Sequence, residues 1–536
     1  MRRFVSYGPV NPKIHYYAPR KELVETGFTR LVGENPPEGG HYITVWAPRQ
    51  CGKTWVMQEV VEKIRLNNEY HIGMFSLESL RDEKSINELL AEFVGKMTET
   101  FQKEFPPIKK IRDIRSFFTT KYFQKPVILI IDEFDSLGET FINQFAAVFR
   151  DIFIGRTNER HRESKDKTYL LHGLALIGVR SVLGIENVKG SPFNIQRSLH
   201  VPNLTYDEVK EMFRWYTEET GQPVEPEVVS TLYEETRGQP GLTCWFAELM
   251  VEKYNREKDK PIGTDIFEEA YAAAVHILPN NNILNIISKA NKDPYRETVL
   301  ELFKTGEKIA FNFDDASINY LYMNGVIDEE KVGRTEYYVR FSSPFVQKRL
   351  FNYFSRTLFK YMGQLVKPFS DLDAVINAER LDVRELMKLY QSYLDTNRSW
   401  LFKDAPRRND LRIYEAVYHF NLYSYLHNFL RDKGALVFPE FPTGNGKIDL
   451  LIRYNDKVYG IELKSYTDGP GYRRSLVQAA AYGKQLGLSE MFLVIFVEDI
   501  DEQNRKKYEA VYRDESTAVV VNPIFIATGG VPAAST

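Results

Sequence analysis

The chain has 536 residues, more than one hydrophobic core supports, so we expect several domains. It carries 70 Lys and Arg residues against 73 Asp and Glu, a formal net charge of −3, so contact with nucleic acid must come from local basic patches. Its two cysteines exclude a disulfide framework and favour the reducing cytoplasm, and the lack of a long apolar run argues against a membrane span.

Strand-like apolar runs alternate with helical patterns through residues 1–203. The runs are Tyr42–Trp46, His71–Leu77, Pro126–Ile131, Leu174–Val179 and Ile195–Val201. This alternation predicts an α/β fold with a parallel sheet. Two segments between the runs, Lys109–Arg115 and Arg156–Lys167, are rich in charge, and we expect both to be exposed.

The first run leads into a loop with the spacing of a phosphate-binding site. Residues 47–54 read APRQCGKT and precede a helical pattern, which is the strand–loop–helix order that a phosphate cradle requires. The backbone N–H groups that would hold phosphate oxygens belong to Arg49, Gln50, Cys51 and Gly52. Lys53 would reach the β- and γ-phosphates of ATP, and the Thr54 hydroxyl would bind Mg²⁺. Ala47 replaces the usual first glycine, so the tight turn at that position is the one feature of the motif that the sequence does not settle.

A second strand, which ends in two acidic residues, supports the same interpretation. The run Val127–Ile131 is followed by Asp132 and Glu133. Because α/β sheets bind ligands at the carboxyl ends of their strands, we expect Asp132 to hold Mg²⁺ and Glu133 to polarise the attacking water. Either motif alone also fits an apolar strand with a solvated end, but the two together favour an ATPase.

Further polar residues are weaker candidates for the nucleotide site. Arg180 or Ser181 would sense the γ-phosphate, or lie on the surface as ordinary residues. Arg156 and Arg160 would act in trans as arginine fingers, although exposed charge is the simpler interpretation.

The middle of the chain is largely helical. Residues 204–285 predict a helical lid, and residues 361–410 predict a helical connector. Between them, residues 286–360 combine helices with a two-strand pattern at Tyr337–Phe341, which fits either a winged helix or a helical packing domain.

The order of these motifs resembles that of AAA+-related and STAND-type P-loop ATPases of bacteria and archaea. The segments that carry the resemblance are APRQCGKT, LIIDEFD, IGVRS and TRGQPGL, and it covers roughly residues 8–350. The resemblance implies a lid that brings Gly238–Gly241 near the nucleotide. It also implies a switch or an assembly motor, which we expect to form homo-oligomers.

A β-hairpin is predicted where the strands at residues 446–453 and 458–464 flank the dipeptide Asn455-Asp456. Asn and Asp tolerate the left-handed backbone of a two-residue turn, and such a turn sets Asp449 directly opposite Glu462. The other surface of the hairpin would be an apolar core face, formed by Ile448, Leu450, Ile452, Tyr459, Ile461 and Leu463.

Opposed carboxylates destabilise a hairpin unless something pairs them. A shared Mg²⁺ or Mn²⁺ ion supplies a reason, since these cations prefer carboxylate oxygens. Lys464 points to the same side as Glu462, where it would activate an attacking water or neutralise developing charge. The alternative is an exposed face with ordinary charges. On the next helix Gln478 and Tyr482 share one face, and upstream Glu415 is either a third metal ligand or a solvated charge.

This pattern resembles the RecB-like branch of the PD-(D/E)xK nucleases, with its Gln-xxx-Tyr helix, over residues 411–500. The resemblance implies a restriction-endonuclease-like α/β/α domain at residues 411–525, and we expect a disordered tail at 526–536. It also implies metal-dependent phosphodiester hydrolysis with DNA as the usual substrate, RNA remaining open. The implied metal ligands are Asp449 and Glu462, and the implied base is Lys464. Three basic residues would grip the nucleic-acid backbone or serve only as solvated charge: Arg473, Arg474 and Lys484.

The sequence therefore predicts a cytoplasmic, ATP-regulated, divalent-metal-dependent DNA nuclease with no membrane contact. Defence against phage or plasmid DNA is the role that family analogy favours. Two alternatives stay open. The first is a signalling switch or scaffold with a degenerate nuclease module, and the second is an ATPase that translocates DNA in repair or transposition.

Overall fold

The computed structural model describes residues 2–81, 83–178, 197–303, 309–358, 375–377, 380–402, 405–407, 413–430, 434–442, 447–455 and 457–529. The chain divides into two compact units. The first unit comprises Met1–Lys289, Phe311–Glu330 and Ser342–Phe345, and the second comprises Ala290–Ala310, Lys331–Phe341 and Val346–Thr536. Within the described residues, none of the helices is both long and apolar enough to cross a bilayer.

Five parallel strands form the sheet of the first unit. They are β1 Tyr42–Trp46, β2 His71–Ser76, β3 Val127–Asp132, β4 Leu171–Gly178 and β5 Arg197–His200. Their order in the sheet is β2-β3-β4-β1-β5. The parallel α/β fold expected from the sequence is therefore confirmed. Strand β4 begins at Leu171 rather than at Leu174, and residues 179–196 lie outside the described part of the chain.

Helices cover both faces of this sheet, which is why its strands are almost continuously apolar. They are α1 Lys21–Val32, α2 Lys53–Asn67, α3 Ile86–Phe101 and α4 Glu139–Asn158, with a 3₁₀ helix at Ile111–Phe118. Alternate residues of β3 enter different cores, as the two-residue period of a strand requires. Ile128 and Ile130 pack in a cluster with residues of α1 and α2, whereas Leu129 and Ile131 pack with residues of α3 and α4.

A run of helices follows the sheet, as expected for the lid. The helices are α5 Tyr206–Thr220, α6 Pro226–Thr236, α7 Pro240–Glu248, α8 Thr264–His276 and α9 Asn281–Ala290, with a π-helical segment at Leu249–Lys253. Helix α5 begins at a capping box, because the Thr205 hydroxyl accepts from the Glu208 N–H and the Glu208 carboxylate accepts from the Thr205 N–H.

Helices and a small sheet follow the lid. They are α10 Tyr295–Leu302, α11 Ala316–Met323, β6 Ile327–Val332, β7 Glu336–Phe341 and α12 Pro344–Leu358, and β6 and β7 form a two-stranded sheet. The two-strand pattern expected at Tyr337–Phe341 is therefore present. The winged-helix interpretation of residues 286–360 stays a prediction.

A six-stranded mixed sheet organises the second unit. The strands are β8 Leu436–Pro442, β9 Lys447–Tyr454, β10 Lys457–Ser465, β11 Glu490–Val497, β12 Tyr512–Arg513 and β13 Val520–Ala527, in the order β12-β13-β11-β10-β9-β8. The helices are α13 Val383–Leu401, α14 Glu415–Leu430, α15 Gly469–Gln485 and α16 Glu502–Tyr508. Strands β10, β11 and β13 run parallel to one another, and the β9–β10 hairpin is antiparallel.

The end of the second unit holds more structure than the sequence pattern indicated. After α15 come β11, α16, β12 and β13. Strand β13 continues to Ala527, two positions into the segment expected to be a disordered tail, because its partner β11 is long enough to pair with it throughout. Residues 530–536 lie outside the described part.

Candidate functional site

The loop after β1 has the backbone shape of a phosphate cradle. Gln50 has φ of 57° and Gly52 has φ of 85°, so two left-handed residues lie immediately before α2. Ala47 is fully buried and is not among the residues with positive φ. The substitution of the usual glycine by Ala47 therefore needs no special backbone conformation, and the turn is made further along the loop.

Lys53 and Thr54 lie at the start of α2 and face the interior of the loop. The Lys53 ammonium donates to the carbonyl oxygens of Ala47 and Pro48, each at 2.9 Å. The Thr54 hydroxyl donates to Asp132 Oδ2 at 2.6 Å. Because β4 separates β1 from β3 in the sheet, this hydrogen bond joins two motifs that are distant in both sequence and strand order. A hydroxyl beside a carboxylate is the donor set that Mg²⁺ takes in such sites.

Glu133 follows Asp132 in a left-handed conformation, with φ of 49°. Its pKa is raised, mainly by burial and then by the neighbouring Asp135 and Asp132. Arg81 lies 4.0 Å from its carboxylate. Glu133 therefore stands beside the Asp132 carboxylate at the carboxyl end of β3, where the sequence predicted it.

The start of α7, within the helices that follow the sheet, contacts the phosphate loop. The Gln239 side-chain amide donates to the Arg49 carbonyl at 3.0 Å, and the Gly241 N–H donates to the Gln50 carbonyl at 3.1 Å. A Cβ on Gly241 would lie 2.4 Å from Gln50 Oε1 and 2.7 Å from Gln50 Cβ. Any displacement of the loop therefore acts directly on the start of α7.

The expected exposure of Arg156 is wrong. Arg156 is 5% exposed and donates to Ser164 Oγ at 2.5 Å and to the Tyr169 carbonyl. Ser164 Oγ lies 2.6 Å from His172 Nδ1, and His172 Nε2 lies 2.8 Å from the Val32 carbonyl. The guanidinium is buried because these partners satisfy it, which excludes a role in trans in this conformation.

The other weak candidates near the nucleotide have different outcomes. Arg160 is exposed, as expected for either of its interpretations. Arg180 and Ser181 lie outside the described residues. Within the segment Arg156–Lys167, Lys167 is also buried, and its ammonium donates to the Glu38 carbonyl at 2.7 Å.

The β9–β10 hairpin has the predicted register only near its turn. Tyr454 pairs with Lys457 across the turn, and the ladder runs to Leu450 opposite Ile461, where it stops. Beyond that point the Leu463 N–H donates to the Asp449 carboxylate at 2.7 Å, so a side chain replaces the backbone ladder.

The interrupted ladder also changes the face on which Ile448 lies. A Cβ on Gly460 would lie 2.8 Å from Ile448 Cδ1, and Ile448 packs in the same cluster as Leu451 and Leu476. The prediction that Ile448 shares a face with Leu450 is therefore wrong. The Asp449 carboxylate accepts the Leu463 N–H beyond the last ladder pair, so β9 departs from β10 at this point although its pairing with β8 continues.

The acidic residues of this hairpin are buried, so the alternative of an exposed charged face is wrong. Asp449 is 2% exposed, Glu462 is fully buried and Lys464 is 9% exposed. The Lys464 ammonium donates to Glu462 Oε1 at 2.7 Å. Glu462 Oε2 is buried with no hydrogen-bond partner among the described residues. An orphaned buried carboxylate oxygen is costly, and a divalent cation would satisfy it.

The charges shift one another's ionisation. Burial first, and then Asp449, raise the pKa of Glu462 to about 8. Burial alone would lower the pKa of Lys464, but Glu462, Asp449 and Glu415 together hold it above its ordinary value. A buried pair of carboxylates with a nearby ammonium is a site that favours further positive charge.

The remaining predicted residues of this region are brought to the same place. The Glu415 carboxylate, at the start of α14, accepts from the Ser465 N–H at 2.7 Å. On α15, the Gln478 amide donates to the Tyr482 hydroxyl at 2.8 Å. The pKa of Tyr482 is raised by burial and then by Glu462, which places the phenol within electrostatic reach of the carboxylates.

His419 was missed by the sequence analysis. Its Nε2 lies 3.0 Å from the Asp449 carbonyl and its Nδ1 lies 4.0 Å from Asp449 Oδ1. The available signal was its spacing from Glu415, because residues four apart share one face of a helix. Among the described residues, no group of three or more His, Cys, Asp or Glu side chains has the geometry of a complete metal site. Two carboxylates with backbone oxygens and waters remain sufficient for Mg²⁺, which keeps several waters.

Comparison with known proteins yields structural likeness only. No family model matches the chain, and no curated protein matches it. The Walker-type ATPase PABY2304 of Pyrococcus abyssi is 14% identical, with a TM-score of 0.45, over 64% of this chain and 98% of that one. The Aeropyrum pernix ORC1 protein in complex with DNA is 14% identical, with a TM-score of 0.32, over 65% and 94%. The Thermotoga maritima RuvB Holliday junction branch migration motor is 15% identical, with a TM-score of 0.33, over 58% and 89%.

The sheet order and the contacts of Lys53, Thr54 and Asp132 establish by themselves that the first unit has the fold of P-loop nucleotide-binding proteins.

Proposed function

We propose that this protein is an ATP-regulated, divalent-metal-dependent DNA nuclease. One observation carries the proposal: Asp449, Glu462 and Lys464 are buried together, and a carboxylate oxygen of Glu462 lacks a partner among the described residues. Buried like charges are too costly to be retained for stability alone, since well-packed apolar residues serve stability as well or better. The first unit supplies nucleotide binding and hydrolysis.

In the first unit, the loop N–H groups of Arg49, Gln50, Cys51 and Gly52 hold the phosphates. Lys53 exchanges its contacts with loop carbonyls for contacts with phosphate oxygens. Thr54 and Asp132 would hold Mg²⁺, which would supply neutralisation of the phosphate charge. Glu133 orients the attacking water from the carboxyl end of β3.

In the second unit, Asp449 and Glu462 would hold the metal, and Glu415 would be a further ligand. A divalent metal held there would supply Lewis-acid activation of a water and of the phosphodiester. Lys464 orients the attacking water or neutralises the charge that develops on the phosphate. Gln478 and Tyr482, linked by their hydrogen bond, present donors to the DNA backbone from α15.

The contact between the phosphate loop and the start of α7 would transmit a change of bound nucleotide to the helices of the first unit. A nucleotide that draws the loop toward its phosphates moves the carbonyls of Arg49 and Gln50, on which Gln239 and Gly241 depend. We propose that this change licenses cleavage within a homo-oligomer, and that the setting is defence against phage or plasmid DNA.

A plasmid-degradation assay with Mg²⁺ or Mn²⁺, with and without ATP, tests the proposal. We expect Asp449→Ala and Lys464→Ala to lose cleavage while retaining ATP hydrolysis, and Lys53→Ala to lose both hydrolysis and ATP-dependent cleavage. Two exposed residues provide matched controls, Asp499→Ala in the second unit and Lys210→Ala in the first, and both should behave as wild type.

Three results would contradict parts of the proposal. If Asp449→Ala cuts as fast as wild type, the nuclease assignment fails. If Lys53→Ala leaves cutting unchanged, ATP does not regulate it. If wild type hydrolyses ATP in response to DNA but never cuts, the chain is a DNA-translocating ATPase with an inactive module.

A further inference from the structure

The segment between α3 and β3 is basic, although the chain as a whole is slightly acidic. Residues 103–125 contain seven Lys and Arg against two Asp and Glu, whereas the whole chain has a net charge of −3. Five of these cations are exposed, and we call them the basic surface: Lys109, Lys110, Arg112, Arg115 and Lys121.

The 3₁₀ helix Ile111–Phe118 explains why these charges point outward together. Residues three apart align along a 3₁₀ helix. Ile111, Ile114 and Phe117 form one such row, and all three are buried. Arg112 and Arg115 form the adjacent row and are exposed, so packing of the apolar row holds the two guanidinium groups on the outside.

An aromatic cluster beneath the helix keeps this surface in place. Phe105 lies 4.8 Å from Phe117 and 6.1 Å from Phe123, measured between ring centroids. The Lys121 ammonium lies 5.0 Å from the ring centroid of Tyr122. The cations therefore extend from a packed core, unlike those of a disordered basic tail, so little order must be gained when a ligand binds.

Nearby acids neutralise little of the charge. Within the described part of the chain, Lys109, Lys110 and Arg112 form no salt bridge, whereas Arg115 pairs with Asp151 at 3.0 Å. Unneutralised cations in a fixed arrangement attract a polyanion.

We propose that the basic surface binds the phosphate backbone of duplex DNA without regard to sequence. The choice of DNA among polyanions rests on the proposed nuclease function. The Phe118 carbonyl, at the end of the 3₁₀ helix, accepts from the N–H of Leu170, whose own carbonyl accepts from the N–H of Val127 at the start of β3. The basic surface therefore lies at the amino end of that strand, whereas Asp132 and the nucleotide site lie at its carboxyl end. DNA can therefore bind here without entering the phosphate loop.

The test is fluorescence anisotropy of a labelled duplex in EDTA, where metal-dependent cleavage cannot occur, over a series of salt concentrations. The variant carries Lys109→Gln, Lys110→Gln and Arg112→Gln. Its control removes the same charge from an exposed segment of the first unit where Arg256 and Lys260 form salt bridges, by Lys253→Gln, Arg256→Gln and Lys260→Gln. A charge-preserving variant carries Lys109→Arg, Lys110→Arg and Arg112→Lys.

At about 0.1 M salt we expect the Gln variant to bind the duplex at least about tenfold more weakly than wild type. The slope of log Kd against log salt concentration should fall by about two to three, because each lost phosphate contact lowers that slope by about 0.9. The control and the charge-preserving variant should match wild type. Equal slopes for the Gln variant and its control would overturn the proposal. So would a variant that loses binding to phosphatidylserine vesicles but not to DNA. Since no cleavage is measured, a failed nuclease assignment leaves this result interpretable.

Discussion

Glu462 is a buried side chain that lowers the stability of the fold but serves the proposed function. Its carboxylate is fully buried, one oxygen has no partner among the described residues, and its pKa is raised to about 8 by burial and by Asp449. In the absence of metal the charged form of Glu462 therefore destabilises the fold.

We expect Glu462→Gln to unfold at the same temperature as wild type, or higher, when EDTA is present, while its cleavage rate falls at least about 100-fold. Mg²⁺ at a hundredfold excess over its Kd should stabilise wild type by about 2.7 kcal/mol and so raise its unfolding temperature. The unfolding temperature of Glu462→Gln should not change. Differential scanning fluorimetry with Asp499→Asn as the control measures both. Equal stabilisation of all three proteins by Mg²⁺ would place the metal elsewhere.

His172 predicts how the stability of the first unit depends on pH. Burial, as the largest cause, lowers its pKa to about 4, and its ring lies within hydrogen-bond distance of Ser164 Oγ and the Val32 carbonyl. Because the unfolded chain binds this proton more tightly, stability is complete above the unfolded pKa of about 6.5 and is lost as pH falls toward 4.

As the pH falls from about 7 to about 5, this histidine should lower the free energy of unfolding by about 2 kcal/mol, as measured by urea denaturation. His172→Gln should be less stable at neutral pH but should lose less on acidification. His161→Gln, at an exposed position, is the control and should follow wild type. The same acid slope in His172→Gln and wild type would assign the pH dependence to other groups.

At the scale of elements, the junction of α7 with the phosphate loop depends on a missing side chain. Gly241 lies in the first turn of α7, where Ala is normally the better helix former, but a Cβ there would lie 2.7 Å from Gln50 Cβ. Gly95, inside α3, has open space around its own Cβ position.

We expect Gly241→Ala to lower ATP hydrolysis and ATP affinity, because the loop must shift to admit the methyl group. Gly95→Ala should leave hydrolysis unchanged and add about 0.5–1 kcal/mol of stability through helix propensity. The double variant Gly241→Ala/Gln50→Gly should recover activity, since Gln50 already has a positive φ that glycine adopts freely. Full activity in Gly241→Ala alone would show that the contact has no role in catalysis.

At the scale of the whole molecule, the chain passes between its two units several times. Residues 290–310 and 331–341 belong to the second unit, although both precede the boundary at residue 411 that the sequence indicated. Phe303 packs with Phe341, Phe351 and Phe420, at centroid distances of 4.6, 5.7 and 5.2 Å. Cutting the chain at residue 410 therefore removes part of a shared aromatic core.

We expect a fragment of residues 1–410 to aggregate or to bind the dye ANS, because Phe303 and Phe351 lose Phe420. In the full chain, Phe420→Ala should destabilise the second unit by about 3–5 kcal/mol and leave ATP binding intact. Size-exclusion chromatography and nucleotide titration measure these effects. A soluble, monomeric fragment that binds no ANS would indicate that residues 290–310 and 331–341 fold without the chain beyond residue 410.

Much of the local structure was predictable because it depends on neighbours in sequence. The loop containing Gly52, Lys53 and Thr54 and the turn at Asn455 follow from short-range backbone preferences, and the strands of the first sheet follow from apolar runs. The burial of Asp449 and Glu462 did not follow, since an alternating strand pattern is the same for a face covered by a helix and for one exposed to water.

Tertiary structure alone decided the contacts between distant segments. The Thr54 hydroxyl can reach Asp132 because β1 and β3 are parallel and end on the same side of the sheet. Arg156 is buried because Ser164 and Tyr169 accept hydrogen bonds from its guanidinium. The face of Ile448 changed because the Asp449 carboxylate interrupts the ladder. By itself the sequence determined which side chains carry the chemistry, since residue type and spacing set ligand preference. Packing of remote segments decided which of those side chains meet, because burial and hydrogen-bond partners depend on the whole fold.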